Sequence, residues 1–205
     1  TIVGNHTMID SVNVAFKKDL TIQGTWKNEV VYSRWFDFIS SEDGVTDNSL
    51  QFKQLQAVIN GTHGCRVEFI KGYYQTQIIG MEPEAYVEIN GVTYPKWAMN
   101  TYQRDDRVVL HIWEIPFVDI NLNGSTIQGI NITCPGWTMI DFSGVENAYI
   151  HDGTLIGMAI NNFSYPNYAN YNWQTLQAPV NDYEFSSLIV VEGGFSTIYN
   201  MTTKY

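Results

Sequence analysis

Basic residues are scarce in this chain, and charge of either sign is thin. Of 205 residues only 11 are Lys or Arg against 21 Asp or Glu, for a formal net charge of −10. So few cations cannot neutralise a run of phosphates, which argues against a nucleic-acid partner and against an anionic membrane surface. No apolar run approaches the length that spans a bilayer, so membrane insertion is not expected. Cysteine is nearly missing: Cys65 and Cys134 are the only two. Two are too few for a disulfide framework or a zinc site, and they read as small core residues. Neither a metal nor any other cofactor is expected. Helical patterning is the last scarcity, and it leaves room for one helix only.

What is abundant points to β structure. Charged residues make up 16% of the chain, while Gly, with 16 copies, and Tyr, with 13, are common beside Asn, Thr and Ser. Asn and Gly supply the left-handed positions that turns need, so the composition suits a turn-rich β protein. Asn-x-Ser/Thr triplets begin at Asn5, Asn60, Asn123, Asn131, Asn162 and Asn200. Chance alone gives about two or three in such a composition, so the excess is mild. The chain opens at Thr1 with no leader-like pattern, and Met201 to Tyr205 reads as a strand cut in mid-course. Both suggest a processed chain or an excerpt of a longer one.

Residues 1–34 alternate in the β manner, with period-two runs at Val12–Phe16, Leu20–Ile22 and Val30–Tyr32, and are expected to form an N-terminal arm. Residues 35–205 then form the main domain. It begins with a helix over 47–60, where Phe52, Leu55, Val58 and Ile59 recur at helical spacing among polar Gln51, Lys53, Gln54 and Gln56. Thr46 or Asp47 is placed to cap its first turn, and Asn60-Gly61 to stop it in the left-handed conformation. From Cys65 onward short strands alternate with Gly, Asn and Asp. Parallel strands without helical crossovers imply a coiling chain, which should repeat every 20 to 25 residues or so. Val118-Asp119-Ile120 matches Ile140-Asp141-Phe142 at a step of 22 (140 − 118). Ile127 and Ile150 match at 23, Ile150 and Ile198 at 48, and a further column runs Val67, Val87, Leu110, Ile132, Leu155. The expected fold is all-β, a right-handed parallel β-helix whose open end is covered by the amphipathic helix.

Phe36-Asp37-Phe38, Asp43-Gly44-Val45-Thr46-Asp47-Asn48, the helix through Ile59, Gly61, Gly64, and Val67-Glu68-Phe69 with Gly72-Tyr73 resemble the opening module of pectate-lyase-like β-helix proteins. The likeness covers residues 36–73, with Ile70-Lys71 standing where that family usually has a Pro before the last Gly. Secreted polysaccharide enzymes and bacteriophage tail spikes and fibres share the module. The arm without a leader, the Asn- and Tyr-rich surface and the excerpt-like ends lean towards the phage group. The resemblance then implies a virion tail component, a homotrimer in contact with other tail proteins, that binds host-surface polysaccharide. Outward aromatics such as Tyr102, Trp113 and Trp137 suit such a trimer. The alternative is a secreted polysaccharide lyase or glycoside hydrolase.

The site candidates are few. Asp43-Gly44-Val45-Thr46-Asp47 reads as a turn and cap, because a calcium loop needs six or more oxygens. Thr62-His63-Gly64 resembles the Gly-His-Gly of polygalacturonases but fills a turn, and Asp105-Asp106 has no partners to complete that signature. Asp119 and Asp141, each flanked by apolar residues, are expected to point outward and stack one coil apart. Such paired carboxylates are the catalytic candidates, with no basic residue keeping their register. An aromatic and amide-rich stretch over 159–185, with Tyr165, Tyr168, Tyr171 and Trp173, is the candidate glycan-binding or subunit-contact loop. Any depolymerising site is expected on later coils or between subunits.

Overall fold

A computed structural model describes residues 1–10, 14–77, 85–89, 92–96, 108–131, 138–157 and 187–204. The strands are β1 (Ile2–Thr7), β2 (Ile22–Trp26), β3 (Val30–Tyr32), β4 (Cys65–Glu68), β5 (Tyr73–Gln77), β6 (Ala85–Ile89) and β7 (Val92–Lys96). They continue as β8 (Val108–Trp113), β9 (Phe117–Ile130), β10 (Thr138–Ser143), β11 (Asn147–Ile156), β12 (Ser187–Glu192) and β13 (Phe195–Lys204). Among the described residues one α-helix, α1 (Ser49–Asn60), interrupts them after a short 3₁₀ turn at Ser33–Phe36. The described residues are mostly β, and three of their four sheets are parallel. The main sheet runs β13-β11-β9-β4-β3, with β5 pairing the second half of β9, and a smaller one runs β12-β10-β8. β1 and β2 also pair in parallel, whereas β6 and β7 form an antiparallel pair.

Parallel sheets are stable where both faces are covered, and the burial pattern agrees. β9 alternates, sending Val118, Ile120 and Leu122 inward and Phe117, Asp119 and Asn121 outward. Register stacks Val31 on Val67, Val67 on Ile120, Ile120 on Ile150 and Ile150 on Ile198. The first four are completely buried, each burial stabilising by about 1.5–3 kcal/mol, while Ile198 on the last strand is 47% exposed. The small sheet stacks Leu110, Ile140 and Ile189, and beside them Ile112, Phe142 and Val191.

This register corrects the expected repeat. Only Ile150 with Ile198 survives among the columns read from the sequence. Ile127 faces Leu155, not Ile150, and Val87 lies in the antiparallel β6–β7 pair, with Ile132 outside the described residues. The true step is 30, from Leu110 to Ile140 (140 − 110) and from Ile120 to Ile150 (150 − 120). It lengthens to 49 from Ile140 to Ile189 (189 − 140). Long intervening segments stretch the step without disturbing the strand pairing, so no fixed period has to exist. A strand–turn–strand unit recurs instead: β8–β9, β10–β11, β12–β13. Its turn places Glu114, Gly144 and Gly193 in the left-handed region, at φ 52°, 65° and 71°. The turns bond to one another, with Glu114 N–H donating to Ser143 O and Gly144 N–H to Glu192 O.

The helix begins two residues later than expected; Asp47 caps its first turn as expected, but its C-terminal stop differs. Asp47 accepts from the backbone and hydroxyl of Ser49, while the Asn48 amide turns away to bond Ile39 and the Gln75 carbonyl. Gly61 is right-handed at φ −84°. It is needed for another reason: a Cβ there would collide with the Gly24 carbonyl and the Trp26 indole. The polar residues of α1 are not a solvated face. Gln51, Gln54 and Gln56 are buried, and the helix lies along the free edge of β8. Lys53 Nζ donates to Val108 O, Gln56 Oε1 accepts from His111 N–H, and the Asn60 amide holds both His111 O and Trp113 N–H. Unpaired strand edges invite aggregation, and these side chains close this one. Gln54 also donates to the Lys17 and Leu20 carbonyls, tying residues 17–20 to the helix.

Ahead of α1, the Asp43 carboxylate accepts from the Val45 and Thr46 backbone N–H groups and from the Thr46 hydroxyl. The turn reading therefore holds, and these bonds, those of Thr46 first, hold the Asp43 carboxyl well below the usual carboxylate range. A depressed folded-state value adds stability above the unfolded value near 3.9, which is lost as pH falls through the folded value. The unfolding midpoint of Asp43→Asn is accordingly expected to lie below that of the parent at pH 7, with the gap shrinking below about pH 4. A gap that does not change with pH would mean that the charge is not what matters.

Cys65 is buried on β4, and burial pushes its thiol up to about 11. It is expected to resist iodoacetamide at pH 8 in the folded protein and react promptly once unfolded. Fast labelling of the native chain would show that β4 opens readily. Cys134 lies outside the described residues.

Candidate functional site

The outward face of the main sheet carries two polar columns. One runs Arg66, Asp119, Tyr149, Thr197, and the next, two residues along, runs Glu68, Asn121, His151, Tyr199. Asp119 reaches both. Its Oδ2 lies 3.5 Å from Arg66 Nε directly opposite, and its Oδ1 lies 3.0 Å from His151 Nε2 on the diagonal. The other ring nitrogen, His151 Nδ1, is 2.7 Å from Asp152 Oδ2, and Asn200 Nδ2 donates to Asp152 Oδ1 at 2.9 Å. A neutral imidazole donates from one nitrogen only, whereas the imidazolium donates to both carboxylates.

Asp152 and Asn200 turn into this array because both are left-handed, at φ 58° and 50°, which short amide and carboxylate residues tolerate. The Tyr199 ring stacks on His151 with centroids 4.5 Å apart and planes 6° from parallel. The stack leaves His151 only 8% exposed. The bond from His151, then that from Asn200, holds the Asp152 carboxyl below its ordinary range. Desolvation, then the charges on Asp119 and Asp152, pushes the Tyr199 phenol up. Asn121 Nδ2 donates to Glu68 Oε2 at 2.9 Å, extending the ladder by one strand. Chemically the array can hold and relay a proton between two acids, with the Arg66 and Asp152 side chains open to solvent at 57% and 42%.

Asp119 and Asp141 do not stack. Asp119 is on β9 in the main sheet; Asp141 is on β10 in the small one, opposite His111 and Val190. Asp141 is also not outward in the solvated sense: it is 2% exposed and accepts from the Ser143 hydroxyl at 2.9 Å. The match at 22 residues aligned two strands that follow each other in the chain, while stacking joins strands 30 apart. The expectation that no basic residue keeps register is likewise corrected, since Arg66 faces Asp119 directly.

Tyr165, Tyr168, Tyr171 and Trp173 lie outside the described residues, as do Asp105-Asp106, Tyr102 and Trp137. Trp113 is half-buried, its ring 4.8 Å from that of His111. Among the described residues no group of His, Cys, Asp and Glu is arranged to hold a metal, and no helix is long and apolar enough to cross a membrane.

Sequence reasoning passed over Arg66, His151, Asp152, Tyr199 and Asn200. A signal existed: residues 108–121 laid on 138–151 match Leu110 with Ile140, Ile112 with Phe142, Ile115 with Val145, and Ile120 with Ile150. That alignment puts His151 beside Asn121 and within a diagonal of Asp119. No family model, curated protein or solved structure matches this chain.

Proposed function

We propose that the parallel sheets are successive coils of a right-handed parallel β-helix, and that this is the shaft of a bacteriophage tail spike or fibre. Such a shaft is a homotrimer, joins other virion tail proteins, and presents a polar surface to host-surface polysaccharide. The observation that carries the reading is the recurrence of the strand–turn–strand unit in register, with stacked left-handed turns at Glu114, Gly144 and Gly193. A repeated unit of this kind builds a rigid rod whose outward residues form ladders. The resemblance of residues 36–73 to tail-spike and polysaccharide-enzyme modules supplies the biological context. Light scattering of the full-length protein tests the assembly, and binding to capsule-bearing and capsule-stripped cells tests the ligand. A monomer with equal binding to both cell types would sink the proposal.

A second reading, a secreted polysaccharide lyase or hydrolase, is favoured by one specific feature. Asp119 has an Arg opposite and a His on the diagonal, an acid with basic partners that the first reading does not need. Asp119→Asn and Asp141→Asn separate the two. Because the residues sit in different sheets, their stability effects are expected to add within about 0.5 kcal/mol. Under the shaft reading neither variant alters capsule cleavage. Loss of cleavage by orders of magnitude in Asp119→Asn alone, with assembly and binding intact, would establish the enzyme.

A further inference from the structure

An open cleft of about 570 Å³ lies between the β1–β2 pair and the turn that follows α1. Its size falls in the range of small-ligand sites, roughly 300–1,000 Å³. Trp26 lies against it, 5% exposed, with an indole N–H that has no hydrogen-bond partner. Around it stand His6, Lys27, Glu29 and His63. All four are exposed, and among the described residues their side chains enter no hydrogen bond or ion pair. The fold has committed the other polar lining groups. Asn28 clamps the Ile9 backbone, Asn60 holds β8, and Thr62 bonds the Ile59 carbonyl.

The uncommitted groups are two imidazoles and an ammonium against one carboxylate. On a chain of net charge −10, counted with neutral His, the Lys27 and Glu29 charges cancel here and leave a locally neutral, donor-bearing cleft. Against an overall negative charge, uncommitted N–H donors gathered in one cleft suit an anionic group. A metal does not fit, since no ligating trio forms among the described residues. Resting on the glycan-binding reading above, we infer that this cleft holds a carboxylated sugar residue of the host glycan. Lys27, His6 and His63 face its carboxylate, and Glu29 accepts from its hydroxyls.

The probes are glucuronate-, mannuronate- and sialate-containing oligosaccharides, each beside its carboxyl-reduced counterpart, titrated calorimetrically into the full-length protein. At least one acidic member is expected to bind, with its reduced form weaker by tenfold or more. Lys27→Ala and His63→Ala should each weaken that binding about tenfold, the scale of one lost hydrogen-bonded contact. Lys204→Ala, exposed on β13 at the opposite end of the main sheet from β3, should leave it unchanged. Both cleft residues are exposed, so their replacement should not unfold the chain, and an unchanged melting point verifies this. Binding of no acidic probe, or binding indifferent to Lys27 and His63, overturns the inference. If Lys27→Ala and His63→Ala still bind capsule-bearing cells normally, the cleft assignment fails while the glycan-binding proposal stands. If the parent ignores capsule but binds the acidic probe at the cleft, the reverse holds.

Discussion

Phe142→Ala is expected to lower the folding stability by about 3–5 kcal/mol, the usual cost of emptying a fully buried aromatic site. Phe142 is 1% exposed at the centre of the small sheet, between Ile112 on β8 and Val191 on β12. β-strand stacks cannot close such a cavity by moving one strand, because every strand is hydrogen-bonded to the next. For a chain of this length the melting midpoint should fall by roughly 6–20 °C. Phe142→Leu, which keeps most of the volume, should recover much of the loss. An alanine variant within about 1 kcal/mol of the parent would mean that the three strands do not share one core.

Asn60→Leu should cost about 2–4 kcal/mol, by a different mechanism. Its amide serves two backbone groups on the edge of β8, His111 O at 2.9 Å and Trp113 N–H at 3.2 Å. Each buried group left unpaired costs about 1–3 kcal/mol. The substitution also adds apolar surface to a helix, so a purely hydrophobic account expects stabilisation. The sign of the change therefore decides. Hydrogen exchange should show Trp113 opening before the rest of the sheet, as a loosened edge requires. Leu50→Ala, on the exposed side of the same helix, serves as control and should fall within about 0.5 kcal/mol of the parent.

The legible parts of this protein are those set by local pattern. Phe52, Leu55, Val58 and Ile59 announce α1, and all four are completely buried. The alternation around Val118 to Ile120 announces a strand with Asp119 on its outer face, and so it is. The Asp43 turn and the turn at Thr62 to Gly64 could be read from their residue types. Less legible was the meaning of the glutamines in α1. A polar stripe on a helix looks solvated in sequence, because nothing local reveals that a strand edge lies alongside it.

The candidate site was half legible for the same reason. Asp119 could be singled out from its flanking Val and Ile. Arg66, 53 residues before it (119 − 66), could not, and His151, 32 after it (151 − 119), was marked only by the match of 108–121 with 138–151. Strand-to-strand distance is set by hydrogen bonding between strands and not by chain length. Segments of any size can leave between two strands and return without cost to the pairing. A step of 22 therefore looked as natural as one of 30, and it paired Asp119 with a residue of the other sheet.

By itself the sequence determined the mostly-β class, the helix α1, and which residues of β9 face inward, since a two-residue period and a 3.6-residue period are properties of neighbouring side chains. The tertiary structure alone decided register. It chose Arg66 and His151 for Asp119, buried Asp141, set Gln56 and Asn60 on the β8 edge, and gathered His6, Lys27 and His63 around one cleft. These are contacts between residues far apart in the chain, chosen by the fit of whole faces and edges, and no local pattern encodes them.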